Sequence, residues 1–318
     1  MNREVKIKNM KLAALNNAVY IFGILIIAVF SVMSPYFFTV TNATSILRAS
    51  TLMLSIGIGM TFALIVGELD LSVGANCRFS ASVCALLMVN YKWNPYLCMI
   101  MMPILGGLVG LVNGILVTRV KLNAWLVTLS MKLALVGIVV KLTNTVAINM
   151  PQEVLQFRNF KIFGLSSFIV FILVVMLIMQ FVLKYTTFGR KIVAVGSNPN
   201  AASKLGLSVK NYKLAAFTIS GIFAGLGGML ICINLGSVTR ELGDGYEFTA
   251  VAAIVLGGVS LAGGEGSVFP KAFIGVLILT MIENGLTMIG ADIYVFQIAK
   301  ALIIFVMMYI DSKKIRFE

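Results

Sequence analysis

The chain has 318 residues, 59% of them hydrophobic and only 12% charged, with a mean hydropathy of +1.00. A soluble domain of that length cannot bury so much apolar surface, so lipid must be its solvent. The net charge of +13 comes without one histidine, which excludes Ser-His hydrolysis and a His-bearing zinc site, and no basic patch interleaved with aromatics suggests nucleic acid.

MNREVKIKNMK opens the chain as a basic start before an apolar run. No small-residue cleavage site follows Met33, where Ser34-Pro35-Tyr36 stand, so 17–33 is expected to be an uncleaved first helix. Further apolar runs place spans near 50–66, 71–90, 95–118, 122–141, 164–183, 212–236, 246–258, 268–288 and 293–311. The expected fold is an all-α integral membrane protein, a polytopic helical bundle of about 8–10 transmembrane segments with short or broken helices. Residues 1–16 form a basic N-terminus, 17–311 one transmembrane domain and 312–318 a basic tail.

Charge orients the bundle. Arg3, Lys6, Lys8, Lys11, Arg119, Lys121, the six basic residues of 184–213, Lys313, Lys314 and Arg316 fall on one side; the other has only Arg48, Lys92, Arg158, Lys161 and Arg240. The positive-inside rule puts both termini in the cytoplasm.

Two spans are irregular. The 246–258 run is too short to cross alone, and 71–90 begins inside GELDLSVGAN, 67–76. Broken helices at membrane depth survive only where protein or a hydrated cavity satisfies their backbone, so they point to a pathway. Asp70 is expected to be the N-cap of a helix starting at Leu71 or Ser72. The alternative is that Asp70 gates the inner end of a path. Gly106, Gly110 and Gly114, and likewise Gly221 and Gly225, form small-residue rows that let helices approach closely.

Arg78 has Gly74, Ala75, Ala81, Ser82 and Ala85 on its own helical face and therefore points into the bundle or a pore. Lys132 is central in its span, where an ammonium costs about 2.5–3.5 kcal/mol and calls for a partner or a cavity. Lys141 is near enough to the end to snorkel. Glu283 is expected to pair with one of these cations. The four cysteines, Cys77, Cys84, Cys98 and Cys232, read as packing residues without a C-x-x-C pair.

The stretch 184–213 holds six basic residues and no acidic one, yet includes Ile192, Val193, Val195, Leu205 and Leu207. Asn198-Pro199-Asn200 supplies a turn and a cap, and 201–205 reads as a short helix stopped by Gly206. A basic, partly apolar helix of this kind suggests a docking surface. No G-x-x-x-x-G-K-[ST] occurs, and GLGG at 225–228 and GGEGS at 263–267 do not open a phosphate loop.

SPYFFTVTNATSILR (34–48), GELDLSVGA (67–75), LNAWLVTLSM (122–131), FGRKIVAVGSNPNAASKLGLSV (188–209) and LGGVSLAGGEGS (256–267) occur in order. Together they resemble the permease subunit of bacterial ABC-type sugar importers, the ribose/xylose/arabinose/galactoside branch, from about residue 18 to 311. The resemblance implies a non-catalytic permease in the bacterial inner membrane, a second permease copy, cytoplasmic ATPase subunits carrying ATP and Mg, and an extracytoplasmic substrate-binding protein. No cofactor is expected on this chain. The ATPase-coupling residues implied are Gly196, Asn198, Asn200, Ala201, Ala202, Leu205 and Gly206. Candidates for the translocation pathway are Asp70, Ser72, Gly74, Asn76, Arg78, Asn113, Lys132, Glu283 and Asn284. Arg78 departs from the family, which has small or apolar residues there, as does Asn200, where a Glu is usual. Permeases for branched-chain amino acids or nucleosides, and an ion-driven secondary transporter, are the alternatives.

Overall fold

A computed structural model of the chain describes residues 19–317, leaving out the side chains of 293, 304, 307, 308 and 310–317. The basic side chains expected at the two ends, Arg3, Lys6, Lys8, Lys11, Lys313, Lys314 and Arg316, lie outside the described residues. Helices follow in the order α1 (Val19–Met33), α2 (Val40–Ile65), α3 (Val73–Val89), α4 (Pro95–Thr118), α5 (Ala124–Thr143), α6 (Gln152–Asn159) and α7 (Ser167–Tyr185). They continue with α8 (Thr187–Ser197), α9 (Pro199–Lys204), α10 (Val209–Leu235), α11 (Tyr246–Leu256), α12 (Phe273–Met288) and α13 (Ile293–Phe317). By length and composition α2, α4, α5, α7, α10 and the run 268–288 can each cross a membrane; α1, α3 and α11 are shorter apolar helices.

Expected and observed boundaries differ most at α2, which begins at Val40 rather than near 50. Thr39 caps it by accepting the Asn42 N–H at 3.2 Å, so polar residues that hide the start from hydropathy still form its first turns. The all-α expectation holds, with only two-residue strands besides the helices among the described residues. Two antiparallel pairs, Ile148–Asn149 with Ser237–Val238 and Lys161–Ile162 with Leu165–Ser166, join α6 in the segment expected to be an outer loop.

At the centre α10 packs against α4, α2 and α3. The expected glycine rows form its seam with α4. A Cβ on Gly106 would stand 2.3 Å from the Gly221 oxygen, and one on Gly225 would stand 2.2 Å from the Met102 oxygen. Backbones this close gain dispersion contact that lipid cannot supply, which is how apolar helices associate without a hydrophobic effect. The two helices therefore serve as a fixed wall, against which the broken helices are set.

Candidate functional site

Two interruptions of the bundle bring buried carboxylates into it. The first is 67–72. Gly67 ends α2 in the left-handed conformation (φ +76), and the Glu68 N–H reaches back to the Ala63 oxygen at 3.0 Å. Glu68 pairs with Lys213 near the start of α10. Asp70 reaches Ser220 on the same helix, two turns further in, about 10 Å at 1.5 Å per residue. The chain between these anchors thus rises into the hydrocarbon without helical structure.

Asp70 is fully buried. Its Oδ1 accepts the Ser72 N–H at 3.0 Å and the Ser72 hydroxyl at 2.6 Å, and its Oδ2 accepts the Ser220 hydroxyl at 2.8 Å. Asn113 on α4 donates to Ser72 Oγ at 2.9 Å. One turn along α3, Asn76 donates to the Gly106 oxygen at 3.0 Å and so ties α3 to the glycine seam. The expected N-cap is therefore displaced. The helix starts at Val73, and Asp70 holds the turn before it instead of capping a helix that begins at Leu71 or Ser72.

The second interruption is 239–247. The chain returns from the strand Ser237–Val238 and turns back into the bundle, where α11 begins. With 11 residues, or about 16 Å, α11 covers only half of a ~30 Å hydrocarbon layer. The start of α3 meets this segment directly: a Cβ on Gly74 would lie 2.2 Å from the Gly243 oxygen and 2.6 Å from Glu247 Oε2. Two helix N-termini thus sit inside the bundle, one preceded by Asp70 and one carrying Glu247 in its first turn, which places negative charge at both positive dipole ends.

Lys132 on α5 pairs with Glu247, not with Glu283 as expected, and stands 5.8 Å from the Phe248 ring centroid. Arg78 is buried, as its small-residue face implies, and its Nε donates to the Leu242 oxygen at 2.8 Å. Glu247 is fully buried, and its Oε2 has no hydrogen-bond partner among the described residues.

Beside this cluster lies a cavity of about 300 Å³ between α2, α11, α12 and α13, lined among others by Asp244, Tyr246, Thr249, Thr280, Glu283, Gln297 and Lys300. Lys300 is buried and donates to Thr249 Oγ1 at 2.9 Å. Glu283 is exposed at the cavity, which Lys300 lines as well. Asn284 lies apart from both interruptions, accepting from Asn42 Nδ2 at 2.9 Å. Among the candidates, then, Asp70, Ser72 and Asn113 form one network with Asn76 beside it, Gly74, Arg78 and Lys132 gather at the second break, Glu283 lines the cavity, and Asn284 joins none of these.

In the stretch 184–213 α8 buries Gly189, Ile192, Val195 and Gly196 against the bundle. A Cβ on Gly196 would lie 1.7 Å from the Ile65 oxygen, which also accepts the Gly264 N–H at 2.8 Å. This joint fixes the end of α8, from which α9 departs. Asn198 caps α9 by accepting the Ala201 N–H at 3.0 Å, Ala202 faces inward, and Asn200, Ala201 and Gly206 are exposed. Leu205 is 81% exposed. Gly206 takes the left-handed conformation that ends the helix (φ +79), with open space around it.

Sequence reasoning missed Glu247, Ser220, Lys300 and the Glu68–Lys213 pair. Lys300 stands inside an apolar run and could have been found by the same test that singled out Lys132, whereas Glu247 follows Glu241 and Asp244 at the edge of a short run. Ser220 carries no such signal, because a serine inside an apolar helix usually bonds its own backbone. Among the described residues no group of three or more His, Cys, Asp or Glu could hold a metal ion.

Residues 42–310 match the family described as "Branched-chain amino acid transport system / permease component". The ribose import permease protein RbsC of Escherichia coli is 33% identical over 296 residues, 92% of either chain. The D-allose transport system permease protein AlsC of Escherichia coli is 35% identical over 273 residues, 85% of this chain and 83% of its own. The galactose/methyl galactoside import permease protein MglC of Haemophilus influenzae is 30% identical over 317 residues, 94% of each. No solved structure matches the chain.

Proposed function

The chain belongs to this family of transport-system permeases, and from that membership we propose that it forms the membrane path of an ATP-driven importer for a monosaccharide. The sugars named for its relatives support the substrate class, since ribose, allose and galactose are neutral rings dense in hydroxyl groups. A cavity offering Gln297, Thr249, Thr280 and both signs of charge suits such a ligand, because each hydroxyl can both donate and accept. The sugar reading takes precedence over branched-chain amino acids, whose apolar side chains would leave those polar groups unpaired.

One observation carries the ATP-driven part. The sequence has no G-x-x-x-x-G-K-[ST] loop, yet α9 projects from a glycine-tight joint with Leu205 bare beyond it. An apolar residue held out on a capped helix is suited to a groove on a partner ATPase. Each chain offers one such element and a pair of ATPases requires two, so a second permease copy and an outer substrate-binding protein complete the proposed assembly. Replacing Leu205 with Asp touches no packed neighbour and should leave the inserted protein at its normal amount. Uptake of labelled sugar in vesicles should fall at least tenfold, about the loss of 1.4 kcal/mol at the dock. Normal uptake by that variant would remove the dock.

A further inference from the structure

The corner between α4 and α5 carries two adjoining hollows that the transport reading leaves unused. The first, about 350 Å³, lies at the end of the bundle that the positive-inside rule puts in the cytoplasm and is lined by Glu68, Lys121, Lys210 and Lys213 together with Thr118 and Asn123. The second, about 360 Å³, lies between α4 and α5 and is lined chiefly by Leu116, Leu126, Val127, Met131 and Ala134. Leu122 and Asn123 line both. A charged hollow and an apolar one thus share a wall.

Charge defines what the first would hold. Glu68 is already bonded to Lys213, and Lys121 and Lys210 have no ion-pair partner among the described residues. Arg119, next to them in sequence, is occupied by Asn211 through Nη2 at 3.0 Å. The site therefore presents two uncompensated ammonium groups to an anion. Depth defines the rest: Trp125 is 52% exposed one residue into α5, where an indole marks the headgroup level. Leu122 and Leu126, on either side of it, are also exposed, so the apolar hollow opens toward hydrocarbon rather than toward the core.

We infer that this corner binds one anionic phospholipid of the cytoplasmic leaflet, with its phosphodiester between Lys121 and Lys210 and an acyl chain along the groove of α4 and α5. A dissolved phosphate would use the lysines and leave the apolar hollow empty. A second copy of the chain meeting the corner symmetrically would set lysines against lysines. Only an amphiphile with negative charge at one end answers both hollows, and basic pockets between helices on the cytoplasmic side are suited to such headgroups.

The test uses native mass spectrometry on the permease, purified in the complex it forms in the membrane and doped with phosphatidylglycerol, phosphatidylethanolamine or inorganic phosphate. The wild type should retain phosphatidylglycerol over phosphatidylethanolamine. Lys121→Gln with Lys210→Gln should erase that preference, at about fivefold per lysine. Ala134→Phe, which fills the groove at an exposed position and spares the charges, should weaken retention of phosphatidylglycerol by itself. Lys92→Gln on the opposite face should change nothing. Equal retention of the two lipids by the wild type, or unchanged retention in both groove and lysine variants, would overturn the site. Displacement of the lipid by inorganic phosphate at equal concentration would make it a solute site, and loss of a subunit from the lysine variant in place of lipid would make it a protein contact; each also refutes the inference.

Discussion

Both interruptions bring a carboxylate into the bundle, but they finish it differently. At the first, each oxygen of Asp70 has a donor, and the donors come from its own turn and from α10. At the second, Glu247 has Lys132 on one oxygen and nothing on the other among the described residues, and Arg78 is anchored by a single Nε bond. The first also sits on the fixed wall of α4 and α10, whereas a cavity adjoins the second. A saturated network locks geometry, and an under-satisfied one beside a cavity leaves groups available to water or substrate. We therefore propose that strength and transport fall to different breaks, although both begin a largely buried helix in the same way.

The harshest way to break this division is Asp70→Ala. It strands the Ser72 amide and two hydroxyls in a dry site, and hydrogen bonds to a charged group are worth about 1.5–3 kcal/mol each. The expected loss is about 3–5 kcal/mol, read as a large drop in the thermal midpoint of the detergent-purified protein and in the amount inserted. Asp70→Asn, which keeps one acceptor oxygen, should fall between. A stable Asp70→Ala protein that merely fails to transport would move Asp70 from the lock to the gate.

The next test separates pairing from path. Lys132→Met alone leaves Glu247 buried without a cation and should cost about 3–5 kcal/mol. Adding Glu247→Gln should recover most of it, since a buried ion pair replaced on both sides is often close to neutral. Glu283→Gln in its place should recover none, because Glu283 is not the partner. If the Lys132→Met, Glu247→Gln protein is stable and imports at the wild-type rate, the pair only closes the bundle. Stability without import would extend the path to it.

How far the sequence reveals these sites follows from the physics of each. A charge inside an apolar run is conspicuous, so GELDLSVGAN, Arg78 and Lys132 stand out unaided. The partner of Lys132 does not, because Glu247 is 115 residues away and follows Glu241 and Asp244 at the edge of a short run, where it reads as outer loop. The same limit hides α8. Its buried residues recur at helical spacing, but the basic residues between them lower the hydropathy to that of a loop. The start of α2 escapes for the opposite reason, since a side-chain cap rather than an apolar run defines it. Periodicity finds surfaces that face lipid or core; it does not find which distant group answers a buried charge.

The smallest effect on stability, and the sharpest on the comparison, belongs to Glu283→Gln. Glu283 stands exposed at the cavity, and its side chain makes no ion pair within bonding distance among the described residues. The change keeps shape and hydrogen-bonding capacity and removes only charge, so folding stability should move by no more than about 0.5 kcal/mol, as for an exposed position. The cavity then loses one acid while Lys300 keeps the Thr249 hydroxyl and the Phe296 ring. If substrate crosses this cavity, that redistribution alters the charge its hydroxyl groups meet, and uptake should fall by about tenfold, or 1.4 kcal/mol, with the inserted amount unchanged. Concentration dependence separates the two ways this can happen. A higher half-saturation with the same maximal rate places Glu283 on the bound sugar, and a lower maximal rate places it on the conformational step. Wild-type import by Glu283→Gln would return the cavity to packing and leave the second break, like the first, a matter of architecture.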